Sequence, residues 1–396
     1  MLQFTNMWFT KRPFLILFSM CCLSALSLDA DAQMDDFKGS ELCLVADNTL
    51  AYLNKGAIYD KKAIHGGQLN GHVFSLERVK KTLKFICQTY RQDVRAGRLS
   101  RLHDAQFIQQ NFEIIPWIPN LAKAQNVIAQ TQNEAKKNLL SRIPEDKILL
   151  TKYYTKLVDA RFTKKSPYLH ALYELPFDEQ HLSMEQAEQQ KDTLTRFTYT
   201  RQAVMNGALD AASNNKPLAK PILYLTEKGL HDTLLQGTAV VQTANQTRYF
   251  NVHRNNGIAY DYALNKDEQA RYWYFKEVPG VMGYGLEPET KVQIVPQVSV
   301  AGNVAGLGLG KLIMLSYPKK QKNNKPAGIH DKSRLKTVNR LVILADEGGA
   351  FDDNYFQLDL LVGSYHGWAD YHAANKHLPD FVQASILLLK EAGSRQ

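Results

Sequence analysis

The chain has 396 residues, 44% hydrophobic and 22% charged, which are the proportions of a folded protein and exclude a disordered one. That length exceeds what one hydrophobic core sustains, so two domains are expected. Forty-eight Lys and Arg against thirty-nine Asp and Glu leave +9, a balance that favours a polyanion: nucleic acid, anionic lipid or an acidic wall polymer.

Lys11 and Arg12 precede an apolar run at 13–28, and Ala30-Asp31-Ala32 follows ahead of Gln33. A basic start, a short apolar stretch and small residues at a cleavage point predict a signal peptide over 1–32. The run is shorter than the roughly 20 apolar residues of a membrane span. Cys21 and Cys22 follow Phe18-Ser19-Met20, which is no lipobox. The reading is an exported protein, periplasmic or outer-membrane associated, with no integral span after cleavage. Nucleic acid thereby leaves the list of partners, and protein partners stay unassigned. Lys11, Arg12, Asp29 and Asp31 cancel, so the +9 belongs to the remainder. Cys43 and Cys87 are the cysteines left in it. In an oxidising compartment one reading is a disulfide, the other two separate buried thiols.

Ser75 is placed to cap a helix whose apolar positions Val79, Leu83, Ile86, Cys87 and Tyr90 recur every three or four residues. Phe74 and Val79 form its hydrophobic staple. Shorter helices are expected at 105–112 and 121–132. From residue 148 the period changes to that of strands: 148–151 with Tyr153-Tyr154, 222–225, 238–242, 248–252, 291–295, 311–317, 341–345 and 356–362. Gly and Asn punctuate them at Asn255-Asn256-Gly257 and 306–310. Many short strands behind a helical first third predict a mainly β protein, a barrel or sandwich with helical decoration. The basic stretch 318–336 reads as a loop between two strands.

The chemistry concentrates in 341–372, LVILADEGGAFDDNYFQLDLLVGSYHGWADYH. A strand runs into Asp346 and a Glu347-Gly348-Gly349 turn. The next alternates Phe356, Leu358, Leu360 and Val362 on one face with Gln357, Asp359 and Leu361 on the other. An Asp within Leu-Asp-Leu-Leu-Val is costly unless it is paired, hydrogen-bonded or protonated. Held in an apolar groove, its carboxyl has a raised pKa and suits general-acid work near neutral pH. The other reading is an Asp facing solvent from an edge strand. His366, Asp370, His372 and His377 match no closed zinc signature, so no metal site and no cofactor is expected. Of Tyr272-Trp273-Tyr274-Phe275, core packing is the first expectation and sugar stacking the second.

Asp346-x-Gly348-Gly349-Ala350, followed by Leu358-Asp359 and Gly363, resembles the aspartate-rich C-terminal module of MltA-type lytic murein transglycosylases. Leu150-Thr151-Lys152-Tyr153-Tyr154 is similar to that family's Leu-Thr-Gly-Tyr-Tyr, with Lys152 in the Gly position. The stretch 168–176, YLHALYELP, follows it in the family's order, with Ala171 in the first Pro position. Gln236-Gly237-Thr238, Asn256-Gly257 with Tyr260, and Ser299-Val300-Ala301 ahead of Leu307-Gly308 complete the set. Asn303 stands where the family has a third aspartate.

The resemblance implies a double-psi β-barrel interrupted by a second, all-β domain, with glycan bound in the groove between them. The implied division is 1–32 signal peptide, 33–175 helical segment and first barrel strands, 176–290 inserted β domain, and 291–396 remaining barrel strands with the aspartate-rich module and a C-terminal helix. The implied partner is the glycan strand of peptidoglycan. Asp359 would be the catalytic acid and then base, with Asp346 supporting it. Tyr154, Gln236, Tyr260, Gly348 and Gly349 would bind substrate. The implied reaction cleaves the bond between N-acetylmuramic acid and N-acetylglucosamine and leaves 1,6-anhydromuramoyl ends. The competing reading is a non-catalytic peptidoglycan-binding protein on the same fold.

Overall fold

A computed structural model of the chain describes residues 33–35, 37–210, 216–261, 263–320, 335–349 and 351–391. The expected signal peptide, Ala350 and the middle of the 318–336 stretch lie outside the described residues. Within them, eleven helices accompany a sheet-rich body, and no helix is long and apolar enough to cross a membrane.

Eleven strands make the main sheet. In chain order they are β1 (Gln33–Met34), β2 (Phe112–Pro116), β3 (Ile148–Leu157), β4 (Thr238–Gln242), β5 (Thr247–Asn255) and β6 (Trp273–Val278). They continue as β7 (Ser299–Ala301), β8 (Leu312–Lys320), β9 (Leu335–Asp346), β10 (Gln357–Tyr365) and β11 (Phe381–Leu389). The spatial order is β6-β5-β4-β3-β10-β7-β9-β8-β11-β2, with β1 parallel to β9. β3 also pairs with β11, through Leu149 to Phe381 and Ile148 to Val382. The pairings β3-β10-β7-β9-β8-β11-β3 therefore close on themselves.

Each strand follows from its side-chain pattern. β9 contains the unbroken apolar run Leu341–Ala345, and those residues are fully buried. A strand apolar on both faces belongs inside a packed body, and β9 pairs with both β7 and β8. β10 alternates buried Leu358 and Leu360 with partly exposed Gln357 and Asp359. β8 and β9 pair as far as Lys320 with Leu335, so both ends of the expected 318–336 loop are strand. Ladder hydrogen bonds carry the pairing past the point where the side chains turn polar.

Helix Leu76–Arg95 begins where expected: the Ser75 hydroxyl oxygen accepts from the Arg78 N–H at 3.4 Å. Its buried Val79, Leu83 and Ile86 pack on a helix the sequence did not announce, Gly39–Leu53. A disulfide joins Cys43 of one to Cys87 of the other. Just past β1, buried Asp35 accepts from Arg340 at 3.0 Å and from Lys319 at 2.5 Å. Against the effect of its burial, these cations and Tyr317 hold its carboxyl well below the ordinary range. The start of the described chain is thereby fastened to β9.

A second core gathers residues between Val158 and Phe275, among them Leu172, Leu223, Leu230 and Phe250. Tyr272, Tyr274 and Phe275 are fully buried in it. The expected all-β insert is corrected here, because it also holds four helices: Met184–Gln189, Thr195–Thr198 and Arg201–Met205 ahead of its strands, and Glu227–Gln236 between two of them. Local chemistry explains two of them. Ser183 and Gln186 form a reciprocal capping box. Thr226 caps the fourth helix, and Gly237, at φ +72°, stops it. At the other end, helix Trp368–Asn375 is followed by β11, so the last described element is a strand and the expected C-terminal helix is internal. Ladders to β8 and β2 on either side outweigh the helix propensity of Ala384–Leu388.

Candidate active site

Three adjacent strands bring two carboxyl groups together. Ala301 on β7 is the register partner of Asp359 on β10 and, on its other side, of Asp346 on β9. Directly opposed residues share a face, and neighbouring strands lie about 4.8 Å apart, so the two backbones stand about 10 Å apart across one small side chain. Thr151 on β3 continues the row beyond Asp359. β10 is hydrogen-bonded on both flanks, so Asp359 sits in the middle of the sheet and not on an edge.

The two carboxyls have different surroundings. Asp346 is engaged at both oxygens: Tyr153 Oη donates to Oδ2 at 2.7 Å, and the Glu347 N–H donates to Oδ1 at 2.8 Å. Burial pushes its pKa up to about 6, while Tyr153, the Glu347 amide and the nearby Lys291 ammonium draw it down. Asp359 Oδ1 is buried without a hydrogen-bond partner among the described residues. Burial, together with the charge of Asp346, pushes its pKa up to about 7, against the pull of Thr151 and Lys152. Near neutral pH, close to that value, the site keeps a share of its protons on a carboxyl with one oxygen unpartnered among the described residues.

The flanking residues tie this pair to the rest of the chain. Tyr153 lies two residues past Thr151 on the same face of β3, which lets it reach over β10 and β7 to Asp346. Gln357 Nε2 donates to Thr151 Oγ1 at 2.8 Å. Lys291 Nζ donates to Asn251 Oδ1 at 2.6 Å, and Asn251 Nδ2 donates to the Gly237 carbonyl at 3.1 Å. The Gln236-Gly237-Thr238 turn is thus connected through Asn251 and Lys291 to the surroundings of Asp346.

The other expected site residues are distributed differently. Tyr154 stacks on Tyr371 with ring centres 4.9 Å apart, and Tyr371 in turn senses the Asp359 charge. Gln236 and Tyr260 line a separate cavity of about 230 Å³ with Arg271 and Trp273, which neither aspartate lines. Gly348 lies against the Phe351 ring, and the space a side chain would occupy at Gly349 is open. Asn303 is buried and caps the short helix Val304–Leu307, its side-chain oxygen accepting from the Gly306 N–H at 2.9 Å. That is a structural role, which an uncharged amide performs as well as a carboxylate. Asn256 is likewise structural, bonded to the Tyr199 and Ala270 carbonyls and to the Tyr272 amide.

Tyr153, Thr151, Gln357 and Lys291 were missed as site residues. The strand period held the signal for the first two, since Thr151 and Tyr153 share a face that Tyr154 does not. One cluster has donor atoms suited to a cation: His253, Glu287 and Glu289, all within 4.8 Å of one another. His253 already bonds Glu287 at 3.0 Å, Arg254 pairs with Glu287 and Lys276 with Glu289, so both carboxylates are already engaged.

No protein-family model and no curated protein matches the chain. Among solved structures it is similar to lytic murein transglycosylases of several species. Escherichia coli MltA with bound chitohexaose is 14% identical, with 91% of this chain and 93% of that one covered and a TM-score of 0.46. The membrane-bound lytic murein transglycosylase of Agrobacterium tumefaciens is 13% identical, covering 87% and 91%, at 0.47. The lytic transglycosylase LtgG of Burkholderia pseudomallei is 15% identical, covering 89% and 91%, at 0.38. These are likenesses of chain path, and they give no residue a role.

Proposed function

We propose that the chain is a peptidoglycan lytic transglycosylase in which Asp359 performs both proton transfers. The observation that carries this reading is the Asp359 carboxyl itself: central in the sheet, raised to about 7, with one oxygen unpartnered among the described residues. The protonated carboxyl gives its proton to the glycosidic oxygen between N-acetylmuramic acid and N-acetylglucosamine. The C1–O bond breaks and the N-acetylglucosamine leaves with a free 4-hydroxyl. The Asp359 carboxylate then takes the proton of the muramoyl C6 hydroxyl as that oxygen closes on C1. The product is a 1,6-anhydro end, no water is consumed, and the acid is regenerated. One carboxyl suffices because attacker and leaving group use it in turn, whereas glycoside hydrolases typically use two. Asp346, both oxygens already bonded, is poorly placed to activate water and is assigned a supporting role, setting the charge beside Asp359.

Tyr154, Gln236, Tyr260, Gly348 and Gly349 are assigned to glycan binding. The double-psi barrel is proposed for the six strands whose pairings close from β3 back to β3. The insert at 176–290 is proposed as a second domain, supported by the second core. Export through the 1–32 segment to the periplasm or outer membrane is proposed with it.

The test is to incubate the chain from Gln33 onward with purified sacculi and weigh the soluble products. Muropeptides one water lighter than the hydrolysis product are expected from the wild type and none from Asp359→Asn. Products at the hydrolytic mass would replace the single-carboxyl mechanism. Sedimentation on sacculi with no product would leave a binding protein.

A further inference from the structure

A cavity of about 340 Å³ opens where β10 begins, between helix Leu121–Gln130 and the 352–357 turn. That volume is in the range of small-ligand sites, about 300–1,000 Å³. Gln357, which lines it, precedes Asp359 by two residues on the same face of the same strand, so its backbone is about 7 Å away.

The lining is chemically particular. Asn126 and Gln130 bring amide groups, each able both to donate and to accept, while the Gln357 amide already donates to Thr151 and accepts from Asn354. Val127 supplies an apolar patch. Lys136 brings an ammonium that has no ion-pair or hydrogen-bond partner among the described residues, and Asp352 stands exposed on the turn. No aromatic face is available for a pyranose to stack on, because Phe356 is 2% exposed and packed in its own small core.

We propose that this cavity holds the stem peptide carried by the muramoyl residue whose C1 reacts, with Lys136 taking a free peptide carboxylate. The proposal rests on the lytic transglycosylase reading and deepens it. The peptide hangs from the lactyl ether on C3, across one sugar ring from C1, so it enters the protein a ring's width from Asp359. Its backbone amides match the amide side chains, its first alanine methyl matches Val127, and a cationic third residue meets Asp352. Gln357 links the cavity to the chemistry, because the same side chain donates to Thr151, the register partner of Asp359.

The test compares intact sacculi with the same sacculi stripped of peptide by an N-acetylmuramoyl-L-alanine amidase, scoring initial rates of anhydro-end formation. The wild type is expected to prefer the peptide-bearing polymer at least tenfold. Lys136→Glu should bring the ratio towards one, while Lys191→Glu, at an exposed position outside the cavity, should keep the wild-type ratio. Equal rates in the wild type, or an unchanged ratio in Lys136→Glu, overturn the proposal while leaving the lytic reading intact. If neither polymer yields anhydro ends, the lytic reading fails and calorimetry with N-acetylmuramoyl-L-alanyl-D-isoglutamate decides the cavity. Binding by the wild type that Lys136→Glu loses then supports it, and no binding at millimolar ligand overturns it.

Discussion

Single side chains set the proton inventory of the site. Tyr153→Phe removes one hydrogen bond to a carboxylate, worth about 1.5–3 kcal/mol, and should cut the cleavage rate on sacculi roughly tenfold or more. Because that bond favours the ionised form of Asp346, its loss should also move the acid limb of the pH–rate profile to higher pH. The wild-type rate should fall as pH rises through about 7, where Asp359 loses its proton, and fall again below about 6 as Asp346 gains one. Stability follows the same sign. The folded Asp359 holds its proton more tightly than the unfolded residue, so its contribution is complete below pH 4 and is lost as pH rises through about 7. Asp359→Asn should therefore melt higher than the wild type at pH 8.5, by on the order of 2–4 kcal/mol, and converge with it near pH 4. Equal melting shifts at both pH values would refute the buried-acid assignment. Pairing on both flanks of β10 excludes the edge-strand reading of Asp359, and the acid within an apolar strand was legible in the sequence. Tyr153 was not, because its role depends on which of two adjacent tyrosines turns towards β9, and register alone fixes that.

At the scale of elements, the strands from 148 onward were readable where apolar residues alternate or run unbroken, as in β4, β9 and β10. Helix Gly39–Leu53 was not, since eight of its fifteen residues are buried and its pattern has no clear polar face. β11 was also hidden, because Ala-Ser-Ile-Leu-Leu-Leu fits a helix as well as a strand until β8 and β2 pair with it. The disulfide depends on the unannounced helix meeting Leu76–Arg95. Closing a span of 44 residues, it should stabilise by roughly 2–4 kcal/mol, read as a lower denaturant midpoint after reduction. Lys291, in the loop before β7, reaches back to β5 and Asp346 together. Lys291→Met removes a cation that favours ionised Asp346, so it should shift the acid limb upward and leave the alkaline limb in place. A shift of both limbs alike would mean a structural role.

At the scale of the whole molecule, the sequence announced a sheet-rich body, and among the described residues the structure has two large cores and a smaller third. It did not announce how the two large cores connect, because β3 is shared: it pairs with β10 from Leu149 to Lys156, and its last two residues also pair with β4. Long-range pairing of that kind is written in no local pattern. The net +9 acts at this scale as well, and adsorption to sacculi should weaken as sodium chloride rises from about 50 to 500 mM, a range over which screening shortens from about 14 to 4 Å. Adsorption indifferent to salt would place the affinity in neutral contacts alone.

The location of Asp359 mid-strand has a bearing on thermal inactivation. With Thr151 on one side and Ala301 on the other, a slip of one residue would turn the carboxyl into the apolar interior and Leu358 or Leu360 out in its place. Strand pairing on both sides, and not a loop, aims the acid. Residual activity and the cooperative loss of near-ultraviolet circular dichroism should therefore decay together on heating. Activity measured after a heat pulse then counts the molecules that are still whole.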